Sequence, residues 1–169
     1  SENVSENVYE GYGPNGVAIL VYTLTDNVNR TVGEVRNAFN KNGGNLGTSG
    51  SVSYLFSQRG EIVFAPGADE LELMEVALEA GAEDVQGDED GSFLVITPSD
   101  PKTFNAGVDA LKAAGLEPAN AEVTMHASTE AEVDLETAAV VQKLIDQLED
   151  LDDVQDVYTN VVYPDDFEG

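Results

Sequence analysis

Few side chains in this sequence could do chemistry, and most of them stand in a context that chemistry does not use. His126 is the only histidine. It falls late in "NAEVTMHA" (120–127), which reads as a strand, so the imidazole is expected to be a packed or surface group and not a general base. Cysteine is absent, which removes disulfides, thiolate nucleophiles and every Cys-based zinc site. "GYGPNG" (11–16) satisfies G-x-G-x-x-G, but a dinucleotide fingerprint follows a strand and opens a helix. This stretch precedes a strand and contains Pro14, so it reads as a turn. "GTSGS" (47–51) lacks the second glycine of a nucleophile elbow, and no G-K-[ST] pair forms a phosphate loop. "GDEDG" (87–91) has no Glu at the twelfth position of a calcium loop and reads as a hairpin tip. The acids of "LEDLDD" (148–153) read as solvated charge at a helix end. No catalytic residue, metal ligand or cofactor is expected.

What remains is a pattern of charge. The chain has 169 residues, with 33 acidic side chains against 7 basic ones, for a formal net charge of −26. Between Asn27 and Gly60 stand Arg30, Arg36, Lys41 and Arg59 against the single acid Glu34. That window carries four bases and one acid, +3; the rest carries three bases and 32 acids, −29. A polyanion is repelled nearly everywhere except here. The low lysine content would also suit a salt-adapted proteome, in which surface charge keeps proteins in solution.

The elements that would position this island are legible. "VAILVYTL" (17–24) is β-branched and apolar, a buried strand. Thr31 and Glu34 form a capping box, with Val28, Val32, Val35 and Phe39 on the inward face of a helix. The opposite face gathers Asn29, Arg30, Gly33, Arg36, Asn37, Asn40 and Lys41. Gly33 costs such a helix about 1 kcal/mol relative to Ala, which close approach by a partner backbone would offset. Gly43 and Gly44 end the helix, and Lys41 lies near the negative end of its dipole. The loop "NKNGGNLGTSGS" (40–51) has no Asp or Glu. It reads either as exposed backbone N–H groups and amides able to meet phosphate or base edges, or as a glycine-rich connection chosen for tight turns. "SVSYLF" (51–56) reads as the next strand.

Further along, "EIVFA" (61–65) is a strand and "ADELELMEVALEAGA" (68–82) an amphipathic helix. "EDVQ" and "SFLVIT" join around Asp90-Gly91 as a hairpin. "PKTFNAGVDALKAAG" (101–115) is a helix with Pro at its start and Gly at its end, before the strand at 120–127. The order β-α-β-β-α-β is ferredoxin-like. The last helix, "LETAAVVQKLIDQLEDL" (135–151), and strand, "VQDVYTN" (154–160), lack partners of their own. They are expected to return to the first β-α-β. The fold class is therefore α+β, with one discontinuous domain of 9–59 plus 124–163, an inserted ferredoxin-like domain at 60–123, and flexible termini at 1–8 and 164–169. No apolar run reaches the roughly 20 residues of a membrane span, and no signal peptide opens the chain, so a cytoplasmic or organelle-matrix setting is the expectation.

"YEGYGPNG" (9–16), "TDNVNRTVGEVRNAFNKNGGNLGTSGSVSYLF" (25–56), "ALEAGAEDV" (77–85) and "LEDLDDVQDVYTN" resemble the YebC family of bacterial proteins and its relatives that activate mitochondrial translation. The resemblance runs in order from Tyr9 to Tyr163. It implies three domains, the third ferredoxin-like and inserted into the second. Nothing before Tyr9 matches the family's basic N-terminal helical domain, on which activity with nucleic acid is expected to depend. It also implies a non-enzymatic regulator of gene expression, either a DNA-binding transcriptional regulator or a ribosome-associated translation factor. DNA, RNA or the ribosome would be met by Asn29, Arg30, Arg36, Asn37, Asn40, Lys41, Gly43, Gly44, Asn45 and Gly47. A ligand-sensing or oligomerisation module is the alternative from another class, since ferredoxin-like domains commonly serve as one.

Overall fold

Chain reversals set the architecture. The structure is a computed structural model that describes residues 3–168. In chain order its elements are β1 (Ser5–Tyr12), β2 (Ala18–Thr25), α1 (Val28–Lys41), β3 (Asn45–Leu46), β4 (Phe56–Phe64), α2 (Glu70–Glu79), β5 (Asp84–Gly87) and β6 (Phe93–Thr97). Then follow α3 (Pro101–Ala113), β7 (Asn120–Ala127), β8 (Ala131–Glu132), α4 (Leu135–Glu149), β9 (Val154–Thr159) and β10 (Val161–Val162). The class is α+β. The chain divides into two compact units: the segment ending at Phe56 joined with the segment starting at Ala127, and Ser57–His126 between them.

The first unit is built on the sheet β3-β1-β2-β9. β1 and β2 pair antiparallel from Ser5↔Thr25 to Tyr12↔Ala18, joined by a single 3-10 turn at Pro14–Gly16. "GYGPNG" is that hairpin connection and opens no α-helix. β9 pairs antiparallel with the other edge of β2, with a register shift between Tyr22 and Thr23. Side chains alternate across a strand, so β2 supplies both faces of the sheet. Val17, Ile19 and Val21 meet Val35 and Phe39 of α1 and Val141, Leu144 and Leu148 of α4. Ala18 and Leu20 face the other way, beneath Val52, with Tyr12, Leu55 and Tyr158 alongside.

Three local expectations are corrected. Residues 5–8, expected to be flexible, belong to β1, whose backbone is held by β2; residues 1, 2 and 169 of the expected flexible termini lie outside the described residues. Residues 51–56 are not a strand. Ser53–Leu55 form a 3-10 turn and β4 starts at Phe56, because Val52 and Leu55, three apart, bury together on the sheet. The cap of α1 is Asn27, whose side chain accepts from the Arg30 N–H at 3.1 Å, and not Thr31. Thr31 is buried one turn inside the helix, while Val28 is 41% exposed.

The second unit has the strand order β5-β6-β4-β7, the arrangement of a ferredoxin-like β-α-β-β-α-β. α2 and α3 bring Leu73, Ala77 and Leu111 onto Ile62, Phe64 and Val95. Asp69 and Asp100 cap the two helices through the N–H groups of Leu71, Glu72 and Thr103.

Candidate nucleic-acid interface

α1 lies on the sheet through Val35, Ala38 and Phe39, and this fixes what it shows to water. Asn29, Arg30, Gly33, Arg36, Asn37, Asn40 and Lys41 are all exposed. They do not all stay available. The Arg30 guanidinium donates to Asp153 at 2.8 Å and to Asp26 at 3.3 Å. Asp153 also accepts from the hydroxyls of Thr31 at 2.7 Å and Thr25 at 3.0 Å. These bonds, from Arg30 first and then Thr31, hold the Asp153 carboxyl below the usual aspartate range despite some desolvation. Asp153 thus ties the start of α1 to the start of β9, and is not the solvated charge expected of "LEDLDD". Arg59 sits on β4 and donates to Glu61 at 2.8 Å, so it is neutralised locally. Of the island's four bases, only Arg36 and Lys41 form no ion pair among the described residues. Beside Lys41 a hollow of about 230 Å³ is lined by Glu34, Asn37, Gln147 and Asp150, which gives the basic face one acidic edge.

The loop after α1 is ordered from within. Gly43 takes a φ of 75° and the Gly44 N–H bonds the Phe39 carbonyl at 2.9 Å, a Schellman ending. A side chain at Gly44 would strike the carbonyl of Tyr12, and one at Gly47 would lie 2.7 Å from the Ser51 hydroxyl. These two glycines serve the chain's approach to itself. Gly43 and Asn45 remain exposed. The Gly47 N–H reaches the Glu10 carbonyl at 2.7 Å.

The Glu10 side chain, on a residue only 6% exposed, then accepts from three loop N–H groups: Gly50 at 2.8 Å, Val52 at 2.9 Å and Ser53 at 2.7 Å. Burial alone would raise its pKa, but these backbone bonds outweigh burial and hold the carboxyl below the usual glutamate range. Of the N–H groups of 40–51 expected to be open to phosphate, that of Gly50 is therefore occupied by an internal anion. Sequence reasoning missed Glu10, which stands 40 residues or more from the loop it organises.

Among the described residues no group of three or more His, Cys, Asp or Glu could hold a metal, and no helix is long and apolar enough to cross a membrane. The fold is an α+β unit interrupted by a ferredoxin-like insert, and it carries a polar helix face and a carboxylate-braced loop. The family model described as "TACO1/YebC second and third domain" matches residues 4–161, and the chain belongs to that family. It is 68% identical over 162 residues to a probable transcriptional regulatory protein of Alcanivorax borkumensis, covering 96% of this chain and 65% of that one. A probable transcriptional regulatory protein of Francisella philomiragia is 62% identical over 161 residues, at 95% and 64% coverage. The crystal structure of a conserved hypothetical protein from Aquifex aeolicus superposes with a TM-score of 0.75 at 42% identity, covering all of this chain and 69% of its own. The chain thus spans somewhat less than two thirds of these curated relatives.

Proposed function

We propose that this protein is a non-enzymatic regulator of gene expression that contacts nucleic acid, free or within the ribosome, through the outer face of α1. One observation carries the reading: in a chain of net charge −26, Arg36 and Lys41 stand without ion pairs among the described residues, on an exposed face that also carries Asn29, the paired Arg30, Gly33, Asn37 and Asn40, with Glu34 at its edge. Gly33 supports it. A Cβ there would meet nothing within 4 Å, so the fold gives no reason for a glycine that costs the helix about 1 kcal/mol. A partner's backbone lying close over the helix supplies one.

The relatives' names favour transcription, whereas the charge balance disfavours a grip on duplex DNA by this chain alone. Crosslinking to RNA and to DNA in cells separates these two routes. Arg36→Glu should abolish association while shifting stability by no more than about 0.5 kcal/mol, because the side chain is exposed and unpaired. Glu79→Lys, a change of charge on α2 equal in size and opposite in sign, should leave association unaltered. Gly33→Ala should stabilise the fold by about 1 kcal/mol and weaken association. A variant at Arg36 that folds and binds like the parent rejects the α1 face.

A further inference from the structure

Tyr54 is the one aromatic among the large hydrophobic residues left exposed, at 76% of its surface. Its ring makes no aromatic contact among the described residues. The residues on either side of it, in contrast, are held. The Ser53 and Val52 N–H groups bond Glu10, the Leu55 N–H bonds the Val52 carbonyl at 2.9 Å, and the Ser128 N–H bonds the Leu55 carbonyl at 2.7 Å. Val52 is fully buried, and Leu55 packs beside it on Ala18 and Leu20. A stiff turn thus holds a large flat ring in water, although burying that ring would have favoured folding.

The surroundings say what the ring can meet. No Asp or Glu occurs between Glu34 and Glu61, and Tyr54 sits inside that run. The carboxylate that binds this turn, that of Glu10, is turned inward onto three N–H groups. A phosphate-bearing strand meets less repulsion here than over the acidic remainder of the chain. A ring of this kind stacks on the face of any base, but only an unpaired base offers that face.

We propose that Tyr54 is a stacking platform for an unpaired nucleobase. This rests on the nucleic-acid reading above and extends it to single-stranded segments. It also adds a second contact, because α1 packs on the Ile19 side of the sheet whereas Val52 and Leu55 pack on the Leu20 side.

The test is a low-salt anisotropy titration of the whole chain with a labelled single-stranded RNA, the DNA strand of the same sequence and the matching duplex. Parent, Tyr54→Ala, Tyr54→Phe and Arg36→Glu are compared, each with a thermal melt. Tyr54→Ala should bind single strands about tenfold more weakly with an unchanged salt dependence, while Tyr54→Phe binds like the parent. The RNA and DNA arms show which strand is the ligand. Ultraviolet crosslinking of the parent to the preferred strand should map to the peptide containing Tyr54. Single-strand binding that is lost in Arg36→Glu but intact in Tyr54→Ala overturns the stacking role and leaves the α1 reading standing. Loss in Tyr54→Phe equal to that in Tyr54→Ala also overturns it, since the ring would then not be the contact. A parent that binds no strand at any salt overturns both.

Discussion

Two loops of this chain solve the same problem in opposite ways. Residues 88–92 and residues 47–53 are both sharp turns whose N–H groups need acceptors, and in both a carboxylate provides them. In the first, the acceptor is local: Asp90 takes the N–H of Ser92 at 2.9 Å and its hydroxyl at 2.6 Å, and Asp88, Glu89 and Asp90 stay exposed. In the second, the acceptor comes from β1, and Glu10 is buried beneath the loop it braces. The local solution leaves the tip strongly negative. The remote one satisfies the backbone and removes the charge from the surface, so the loop shows only glycine and hydroxyl side chains, with Tyr54 just after it. Where a carboxylate sits therefore decides which ligands a turn can meet.

The comparison breaks most decisively at Glu10. Glu10→Ala leaves the N–H groups of Gly50, Val52 and Ser53 without that acceptor, the Val52 one buried, and about 2–3 kcal/mol of stability should be lost. Urea unfolding measures the loss, and amide exchange at Gly50, Val52 and Ser53 should quicken ahead of the rest. Unchanged exchange there would show that the loop is held by Val52 burial alone.

Acid is the next lever. Glu10 and Asp90 both titrate below their ordinary ranges in the folded chain. A carboxyl whose folded pKa is depressed gives its full contribution above the unfolded value and loses it as pH falls through the folded one. Loosening of 47–53 should therefore begin only below about pH 4.3, the ordinary glutamate value. Amide shifts of Gly50 and Ser53 followed by NMR from neutral pH downward test this. Movement already at pH 5–6 would mean that burial outweighs the three N–H bonds and raises the Glu10 carboxyl.

Asp90→Asn should have the smallest effect. The turn keeps the bonds from Asp88 N–H to the Ser92 carbonyl and from Gly91 N–H to the Asp88 carbonyl, at 2.9 and 3.0 Å. No change in the melting temperature is expected, and a clear drop would mean that the local turn, too, carries the fold.

What could be read from the sequence follows the same division. The hairpin at Asp90-Gly91, the Pro and Gly that bound α3 and the periodicity of α1 and α4 are short-range features, and residue order encodes them directly. β1 was not legible: "SENVYEGY" mixes acids, glycine and tyrosine, and it is a strand because β2 pairs with it and Phe39 lies over Gly11. The strand expected at 51–56 failed for a related reason, since three-residue spacing of Val52 and Leu55 suits a turn pressed on a sheet. At the candidate site, the exposed face of α1 was legible from 3.6-residue periodicity. That Arg30 is bound to Asp153, and that Gly50, Val52 and Ser53 are bound to Glu10, depends on contacts across 40 to more than 120 residues. No local pattern reports those.

The insertion also has a consequence in time. β1, β2 and α1 leave the ribosome first, but β9, which pairs with β2, and α4, which closes the core over Val35 and Phe39, come only after Ser57–His126. At roughly 5–20 residues per second, the interval between Phe56 and Val154 is on the order of 5–20 s. Through that interval β2 has an unpaired edge, and Val17, Ile19 and Val21 lack half their cover, whereas the inserted unit has all its strands and helices in hand once Ala127 has emerged. The nascent chain therefore carries a finished module tethered to an unfinished one, and a chaperone that shields sheet edges would find its substrate in that window.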